Sequence, residues 1–114
     1  MQTSFALLRV GGDKYCSAPL DIFSILIAAA CHDMGHPGRN NSYQVHSRSD
    51  LAVIYNDASV LENMHAARAF RLLNAPPEDE LNCDILFGLR DTEKDVFRSN
   101  VIHGILATDV TQVR

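Results

Sequence analysis

The chain has 114 residues, of which 46% are hydrophobic and 21% charged, as expected for one soluble globular domain or part of one. These fractions exclude a wholly disordered chain and a low-complexity protein. The formal net charge is −4 and the arginines are scattered along the chain. Because nucleic-acid-binding domains usually carry a basic patch or stripe, we expect no nucleic-acid partner.

The cysteines and the apolar segments indicate where the protein works. Cys16, Cys31 and Cys83 form no C-x-x-C pair, which is typical of small buried thiols in a reducing compartment, so we expect a cytoplasmic protein. The longest apolar stretch runs from Ile22 to Cys31. It is too short to span a hydrocarbon core of ~30 Å, so we expect no membrane segment within this chain.

The first third of the chain predicts two helices. Residues 1–10 are half apolar, and a break begins at Gly11, which predicts a helix followed by a loop. Ser17 is a candidate N-cap for the next helix, with Pro19 in its first turn. That helix is predicted to run to about His32 and, because it is apolar almost all round, to lie at the centre of the domain.

The middle of the chain predicts a loop and a short helix. Residues 36–42 are rich in Pro, Gly and Asn, which favours a loop. A short helix is predicted over residues 48–55, with Asn56 and Asp57 ending it. Its inward-facing side chains are predicted to be Leu51, Val53 and Ile54.

Two longer helices are predicted in the second half. The first covers Ser59 to Asn74, where Ser59 and Glu62 have the S-x-x-E spacing of a capping box. An acidic loop, NAPPEDE, precedes the second helix, from about Asp91 to Asp109. The apolar face of this last helix is predicted to contain Val96, Phe97, Val101, Ile105 and Leu106. Because no stretch alternates polar and apolar residues for the length of a strand, we predict an all-α, compact multi-helix fold.

The segment CHDMGHPGRNN carries the most chemistry. His32 and Asp33 stand at the end of the predicted buried helix, and His36 follows. Neighbouring residues on a helix point about 100° apart, so this pair can face one cavity only where the backbone turns. An imidazole nitrogen and a carboxylate oxygen suit zinc, iron or manganese, and the carboxylate can bridge to magnesium. A surface pair and a hydrogen-bonded core histidine are the alternatives, but an ionisable pair directly after IFSILIAAAC needs a partner if it is buried, and a metal is one.

Three segments in order, HDMGHPGRNN, SDLAVIYNDASVLENMHAARAFRLL and ILATD, resemble the catalytic domain of the class I 3',5'-cyclic nucleotide phosphodiesterases. The resemblance extends from about residue 20 to 110, and MQTSFALL is similar to the segment just before. The His-Asp pair alone would indicate only the broader HD phosphohydrolase superfamily. The resemblance implies an HD-type helical domain that acts in signal transduction. It would hydrolyse cAMP and/or cGMP to the 5'-monophosphate with water activated by two divalent ions, zinc and magnesium or manganese.

The resemblance also implies roles for individual residues. His32 would bind the tighter ion, and Asp33 would bind both ions. His36, Glu62 and Thr108 would contact water around the ions.

The residues themselves leave simpler roles open. Glu62 is also the acidic member of the capping box, and the Thr108 hydroxyl can satisfy a backbone carbonyl near a helix end. The remaining histidines are predicted to be structural or at the surface: His46, His65 and His103.

Some positions depart from the family pattern. Gly35 stands where the family usually has an acidic residue, and Met64 where it usually has a histidine. The family's H-N-x-x-H-A motif, which holds the acid histidine and a metal ligand, has no counterpart here. Nor does a later aspartate ligand or the purine-binding glutamine. We therefore assign no catalytic acid and interpret the chain as a fragment that alone binds metal weakly, hydrolyses little and associates through exposed apolar faces.

Two other functions are weighed against a phosphodiesterase fragment. One is a non-catalytic truncated product that packs against another chain. The other is an HD-superfamily hydrolase acting on a different phosphate ester, which the YND, LEN and ATD motifs disfavour.

Overall fold

A computed structural model describes residues 1–76, 78 and 84–112. Within these residues the regular structure is entirely helical, which confirms the all-α prediction. The α-helices are α1 (Gln2–Arg9), α2 (Pro19–Cys31), α3 (Asn41–His46), α4 (Asp50–Ile54), α5 (Val60–Leu73) and α6 (Asp91–Leu106). Short 3-10 helices cover Gly12–Tyr15 and Val110–Gln112.

Helix α2 begins with Pro19 at its first position and Ala18 as its N-cap. The carboxylate of Asp21 accepts hydrogen bonds from the backbone N–H groups of Ser17, at 2.9 Å, and Ala18, at 3.0 Å. The predicted capping role of Ser17 is therefore wrong. Ser17 lies one residue too early, and a carboxylate from inside the helix satisfies the free amides instead.

The main core lies where α2 and α5 pack against α6. Phe97 is fully buried, stacked on Phe23 at a centroid distance of 5.3 Å and edge-on to Phe70 at 6.4 Å. A Cβ atom at position 104 would lie 3.0 Å from the Cβ of Ala28, so Gly104 allows α2 and α6 to cross closely. The buried members of this core are Ala28, Ala66, Phe70, Phe97, Val101 and Ile105.

The predicted loop at residues 36–42 is partly wrong, because α3 begins at Asn41. Asn40 caps it by accepting a hydrogen bond from the Tyr43 N–H at 2.9 Å. Arg48, with a φ of 50°, separates α3 from α4, so the single helix predicted over residues 48–55 is shorter than expected.

The predicted inward face of α4 is also wrong in part. Val53 and Ile54 are 69% and 62% exposed, whereas Ala52 is buried. Asn56 and Asp57 have positive φ angles of 54° and 62°, and they end this segment as predicted.

Helix α5 agrees with the prediction, but its capping does not. Ser59 adopts a left-handed conformation with a φ of 40° and makes no cap bond through its side chain. Its hydroxyl donates instead to Asp109 at 2.7 Å. Asn41 caps α5 from a distance, because its side-chain oxygen accepts from the Leu61 N–H at 2.9 Å and its amide donates to Glu62 at 2.8 Å.

Helix α6 ends at Leu106, earlier than predicted, and Val96 is 47% exposed, so its predicted place on the apolar face is wrong. Cys16 and Cys31 are free and half-buried, and burial raises the pKa of the Cys31 thiol. Cys83 and most of the acidic end of NAPPEDE lie outside the described residues. None of the helices described here combines the length and the apolar character needed to cross a bilayer.

The protein is flattened, with principal extents of 42 × 39 × 24 Å and a radius of gyration of 15.4 Å. A compact chain of this length has a radius of gyration of about 13 Å. The larger radius of gyration indicates a less compact packing, which leaves large apolar side chains at the surface. These include Phe5, Leu7, Val10, Phe87 and Val110.

Candidate metal centre

The predicted pair lies in a turn directly after α2. His32 is the C-cap residue of α2, with φ −58° and ψ −25°. The turn continues with a hydrogen bond from the His36 N–H to the Asp33 carbonyl at 3.2 Å and a left-handed Gly35 with a φ of 70°. It brings His32 Nε2 to 3.3 Å from Asp33 Oδ2. The turn therefore brings the two side chains together, and both are exposed, His32 to 45% and Asp33 to 66%.

The hydrogen bond at the other ring nitrogen fixes the proton on His32. Its Nδ1 lies 2.9 Å from the carbonyl oxygen of Ala29. Because a carbonyl only accepts hydrogen bonds, Nδ1 carries the proton, and Nε2 of the neutral ring presents a lone pair to Asp33. This is the tautomer of a metal-ligating histidine, whose second nitrogen bonds a backbone carbonyl.

His65 joins the site from α5. It is 2% exposed, its Nδ1 lies 2.8 Å from the Met34 carbonyl, and its Nε2 lies 3.8 Å from Asp33 Oδ1. By the same argument, Nε2 of the neutral His65 ring carries a lone pair facing Asp33. Each carboxylate oxygen of Asp33 thus has the Nε2 atom of one imidazole ring near it.

His65 was predicted to be structural or at the surface, and its burial and its bond to the Met34 carbonyl agree with a structural role. Its place beside Asp33 was not predicted, although Glu62-x-x-His65 puts a carboxylate and an imidazole one helical turn apart on one face. His46 and His103 differ, since both are exposed and bond carbonyls of their own helices, Ser42 and Ser99, at 2.8 Å.

His36 has the opposite tautomer. Its Nδ1 accepts a hydrogen bond from the Gly38 N–H at 2.9 Å, so in the neutral ring Nε2 carries the proton. The ring stacks on His65 with centroids 5.7 Å apart. Ligand atoms of Asp33, His36 and His65 all lie within 4.8 Å of one another, but His36 in this state is a hydrogen-bond donor and not a ligand.

His36, Glu62 and Thr108, the three residues predicted to contact water, line one cleft of about 260 Å³. The Thr108 hydroxyl donates to the Ile105 carbonyl at 2.7 Å, which is the simpler role left open above. Its oxygen lone pairs stay available as acceptors. The Asn41 amide holds the Glu62 carboxylate at 2.8 Å.

The neighbouring Asp109 is 4% exposed. The hydroxyl of Thr111 donates to its carboxylate at 2.6 Å, and the hydroxyl of Ser59 at 2.7 Å. The Thr111 bond above all, with the Ser59 bond, holds the pKa of Asp109 below its ordinary value against the opposing effect of burial. This carboxylate ties the end of α6 to the start of α5, next to the cleft.

The donor set fits a divalent cation. Without a cation, the lone pair of His32 and the negative charge of Asp33 would face each other at 3.3 Å, an unfavourable arrangement. A bound metal ion or a proton resolves it. Nitrogen and carboxylate ligands of this kind suit zinc, and the exposed second face of Asp33 suits a harder ion.

Comparison with known proteins shows the family of the chain. The sequence model of the 3'5'-cyclic nucleotide phosphodiesterase family matches residues 1–113. The 3',5'-cyclic-nucleotide phosphodiesterase regA of Dictyostelium discoideum is 45% identical over 96% of this chain and 13% of its own length. The human dual specificity calcium/calmodulin-dependent 3',5'-cyclic nucleotide phosphodiesterase 1C is 40% identical over 96% of the chain and 15% of its own length. The mouse high affinity cGMP-specific 3',5'-cyclic phosphodiesterase 9A is 38% identical over 97% of the chain and 20% of its own length.

The chain thus spans about a fifth or less of the length of these relatives, and nearly all of it lies within the matched region. The resemblance drawn from the HD, LEN and ATD motifs is confirmed at the level of the family. This chain belongs to the 3'5'-cyclic nucleotide phosphodiesterase family.

Proposed function

We propose that this chain forms part of a metal-dependent catalytic domain that hydrolyses cAMP and/or cGMP to the 5'-monophosphate. The observation that carries the proposal is the 3.3 Å approach of His32 Nε2 to Asp33 Oδ2, with the His32 proton committed to Ala29. This arrangement favours a cation at the turn after α2. Similar proteins named as cyclic nucleotide phosphodiesterases support the reaction class.

In this proposal His32 and Asp33 would hold zinc, and Asp33 would also hold magnesium or manganese. Divalent ions, when bound, lower the pKa of water and offset negative charge on phosphoryl oxygens. The protonated Nε2 of His36 donates to water in the cleft. Glu62 and the Thr108 oxygen accept hydrogen bonds from that water, so the three residues orient it towards the turn. No residue of this chain is assigned the protonation of the leaving ribose oxygen.

Both cyclic nucleotides stay in the proposal, because one similar protein is named as having dual specificity and another as cGMP-specific.

Metal binding by the chain itself is the first test. We expect zinc to bind weakly, with a dissociation constant that rises at least tenfold in His32→Ala and Asp33→Asn, measured by calorimetry at pH 7. His46→Ala is the matched control, since that ring is exposed and bonds its own helix. An unchanged constant in His32→Ala would exclude His32 as a ligand.

A chimera tests hydrolysis. This chain would replace the aligned 110 residues of the human calcium/calmodulin-dependent relative, and release of 5'-monophosphate from cAMP and cGMP would be followed. We expect measurable hydrolysis that His32→Ala abolishes and His46→Ala leaves intact. A folded chimera that binds zinc but hydrolyses neither nucleotide contradicts the proposed activity.

A second candidate function is a non-catalytic product that packs against another chain. The exposed apolar side chains of α1, with Phe5 52% and Leu7 61% exposed, favour it, because large exposed apolar patches mark association sites. Sedimentation of the chain at several concentrations tests this candidate. Association that Leu7→Ser reduces, together with no zinc binding, would favour this function over catalysis.

A further inference from the structure

Two side chains of α5 hold the turn that carries Asp33 and His36. His65 and Arg68 are one helical turn apart, and they reach the carbonyl oxygens of two consecutive residues. His65 Nδ1 donates to Met34 at 2.8 Å, and Arg68 Nη1 donates to Gly35 at 2.6 Å. These contacts join segments 31 and 33 residues apart in sequence.

Gly35 and Arg68 are also linked by shape. Gly35 has a φ of 70°, and a Cβ atom built on it would overlap Nη1 of Arg68. The guanidinium therefore occupies the space that a side chain at position 35 would take. Among the described residues, the ion pairs join carboxylates to His32, His65 and Arg90. The hydrogen bond of Arg68 is made to a backbone carbonyl, that of Gly35.

We propose that Arg68 is a positioning residue that fixes the direction of the Asp33–His36 turn. The two carbonyls held by α5 belong to two consecutive peptide planes that meet at the Cα of Gly35, and holding both carbonyls fixes the orientation of both planes. These planes set where Asp33 and His36 point, because Asp33 directly precedes Met34 and His36 directly follows Gly35. A charged donor makes a stronger hydrogen bond to the carbonyl than a neutral one would. Its relevance to metal binding rests on the function proposed above, whereas the hold on the turn does not.

The first test uses the metal-free chain, so it is independent of the proposed function. Amide hydrogen exchange of His36, whose N–H bonds the Asp33 carbonyl at 3.2 Å, reports on the turn. We expect exchange at least tenfold faster in Arg68→Ala, with partial recovery in Arg68→Lys. Arg71→Ala is the matched control, since Arg71 is exposed and lies on the next part of the same helix. Exchange within twofold of the parent in Arg68→Ala would overturn the inference.

A second test separates the specific contact from general stability. Gly35→Ala is strained by its positive φ in any background, but it clashes with the guanidinium only when Arg68 is present. We expect Gly35→Ala to lower the folding equilibrium constant at least fivefold more in the parent than in Arg68→Ala. Equal effects in the two backgrounds would show that Arg68 does not occupy this space and would overturn the inference.

The third measurement connects the turn to the metal. In Arg68→Ala we expect the zinc dissociation constant to rise about tenfold while the midpoint of urea unfolding stays within error. If the parent chain binds no zinc, the proposed metal function fails, and the exchange test alone decides the role of Arg68. Zinc can also bind equally well to the parent and to Arg68→Ala although amide exchange is faster in the variant. Arg68 then holds the turn, but the direction of the turn does not determine zinc binding by its ligands. This result overturns the positioning role.

Discussion

Asn41 offers the sharpest test of how the cleft is built. One side chain caps α5 through the Leu61 N–H at 2.9 Å and holds the Glu62 carboxylate at 2.8 Å. Asn41→Ala removes both bonds. Loss of an N-cap costs about 1 kcal/mol, and loss of a partly buried hydrogen bond to a charged group costs about 1 to 2 kcal/mol. We expect the free energy of unfolding to fall by about 2 kcal/mol, a roughly 30-fold change in the equilibrium constant.

Exchanging the amide of Asn41 and the carboxylate of Glu62 isolates the hydrogen bond between these two side chains. Asn41→Asp keeps an acceptor for Leu61 but cannot donate to Glu62, and it places two carboxylates together, so we expect no recovery of stability. Adding Glu62→Gln restores a donor on the other side, and stability should recover by about 1 kcal/mol.

Urea unfolding followed by circular dichroism at pH 7 measures these differences. Asn40→Ala is the neighbouring control, because Asn40 caps only the six-residue α3 and its loss should cost at most about 1 kcal/mol. The reasoning is refuted if Asn41→Asp alone is as stable as the parent, or if Asn41→Ala costs no more than Asn40→Ala.

Three further predictions concern buried side chains. Phe97→Ala should lower the free energy of unfolding, measured in urea, by about 4 kcal/mol, because Phe97 is fully buried between two aromatic rings. The control Val96→Ala should lower it by under about 0.5 kcal/mol. Similar losses in the two variants would contradict the core described. The pKa of Asp109 is lowered chiefly by the Thr111 hydroxyl, so its stabilisation is present above the ordinary aspartate pKa of about 3.9 and is lost as the pH falls through the lower folded value. Unfolding measured from pH 6 to pH 2 should therefore show a smaller acid-induced loss in Asp109→Asn, and an unchanged loss would contradict this. Met64 is 3% exposed, so Met64→His should cost about 2 kcal/mol in urea and Met64→Leu under about 1 kcal/mol; a neutral Met64→His would reveal a polar partner there.

Local sequence signals predicted most of the fold. The apolar spacing of α5 gave its limits to within one residue, since the prediction of Ser59 to Asn74 compares with Val60–Leu73. Helix α3 was missed because Pro37 and Gly38 dominate the composition just before it, which hides the capping residue Asn40. The surface position of Val53 could not be predicted either, since a five-residue helix is too short to show a clear apolar face.

The capping box failed for a tertiary reason. Ser59 and Glu62 satisfy the local pattern, yet Ser59 bonds Asp109, 50 residues away, and Glu62 bonds Asn41, 21 residues away. No local pattern predicts either partner. Both contacts lie beside the cleft lined by Glu62 and Thr108, so the local rule fails where residues distant in sequence are brought together.

The His-Asp pair was identified from its position after an apolar helix, but the sequence did not show what orients it. The Ala29 carbonyl of α2 holds the His32 ring. Helix α5 holds the turn after Asp33, because His65 and Arg68 bond the two carbonyls that follow it. The departure at Gly35 then has a physical consequence, because the missing side chain leaves room for the Arg68 guanidinium. The cationic side chain of Arg68, bonded to the Gly35 carbonyl, occupies the space that a side chain at position 35 would take. The turn therefore keeps its direction only as long as Arg68 stays in place.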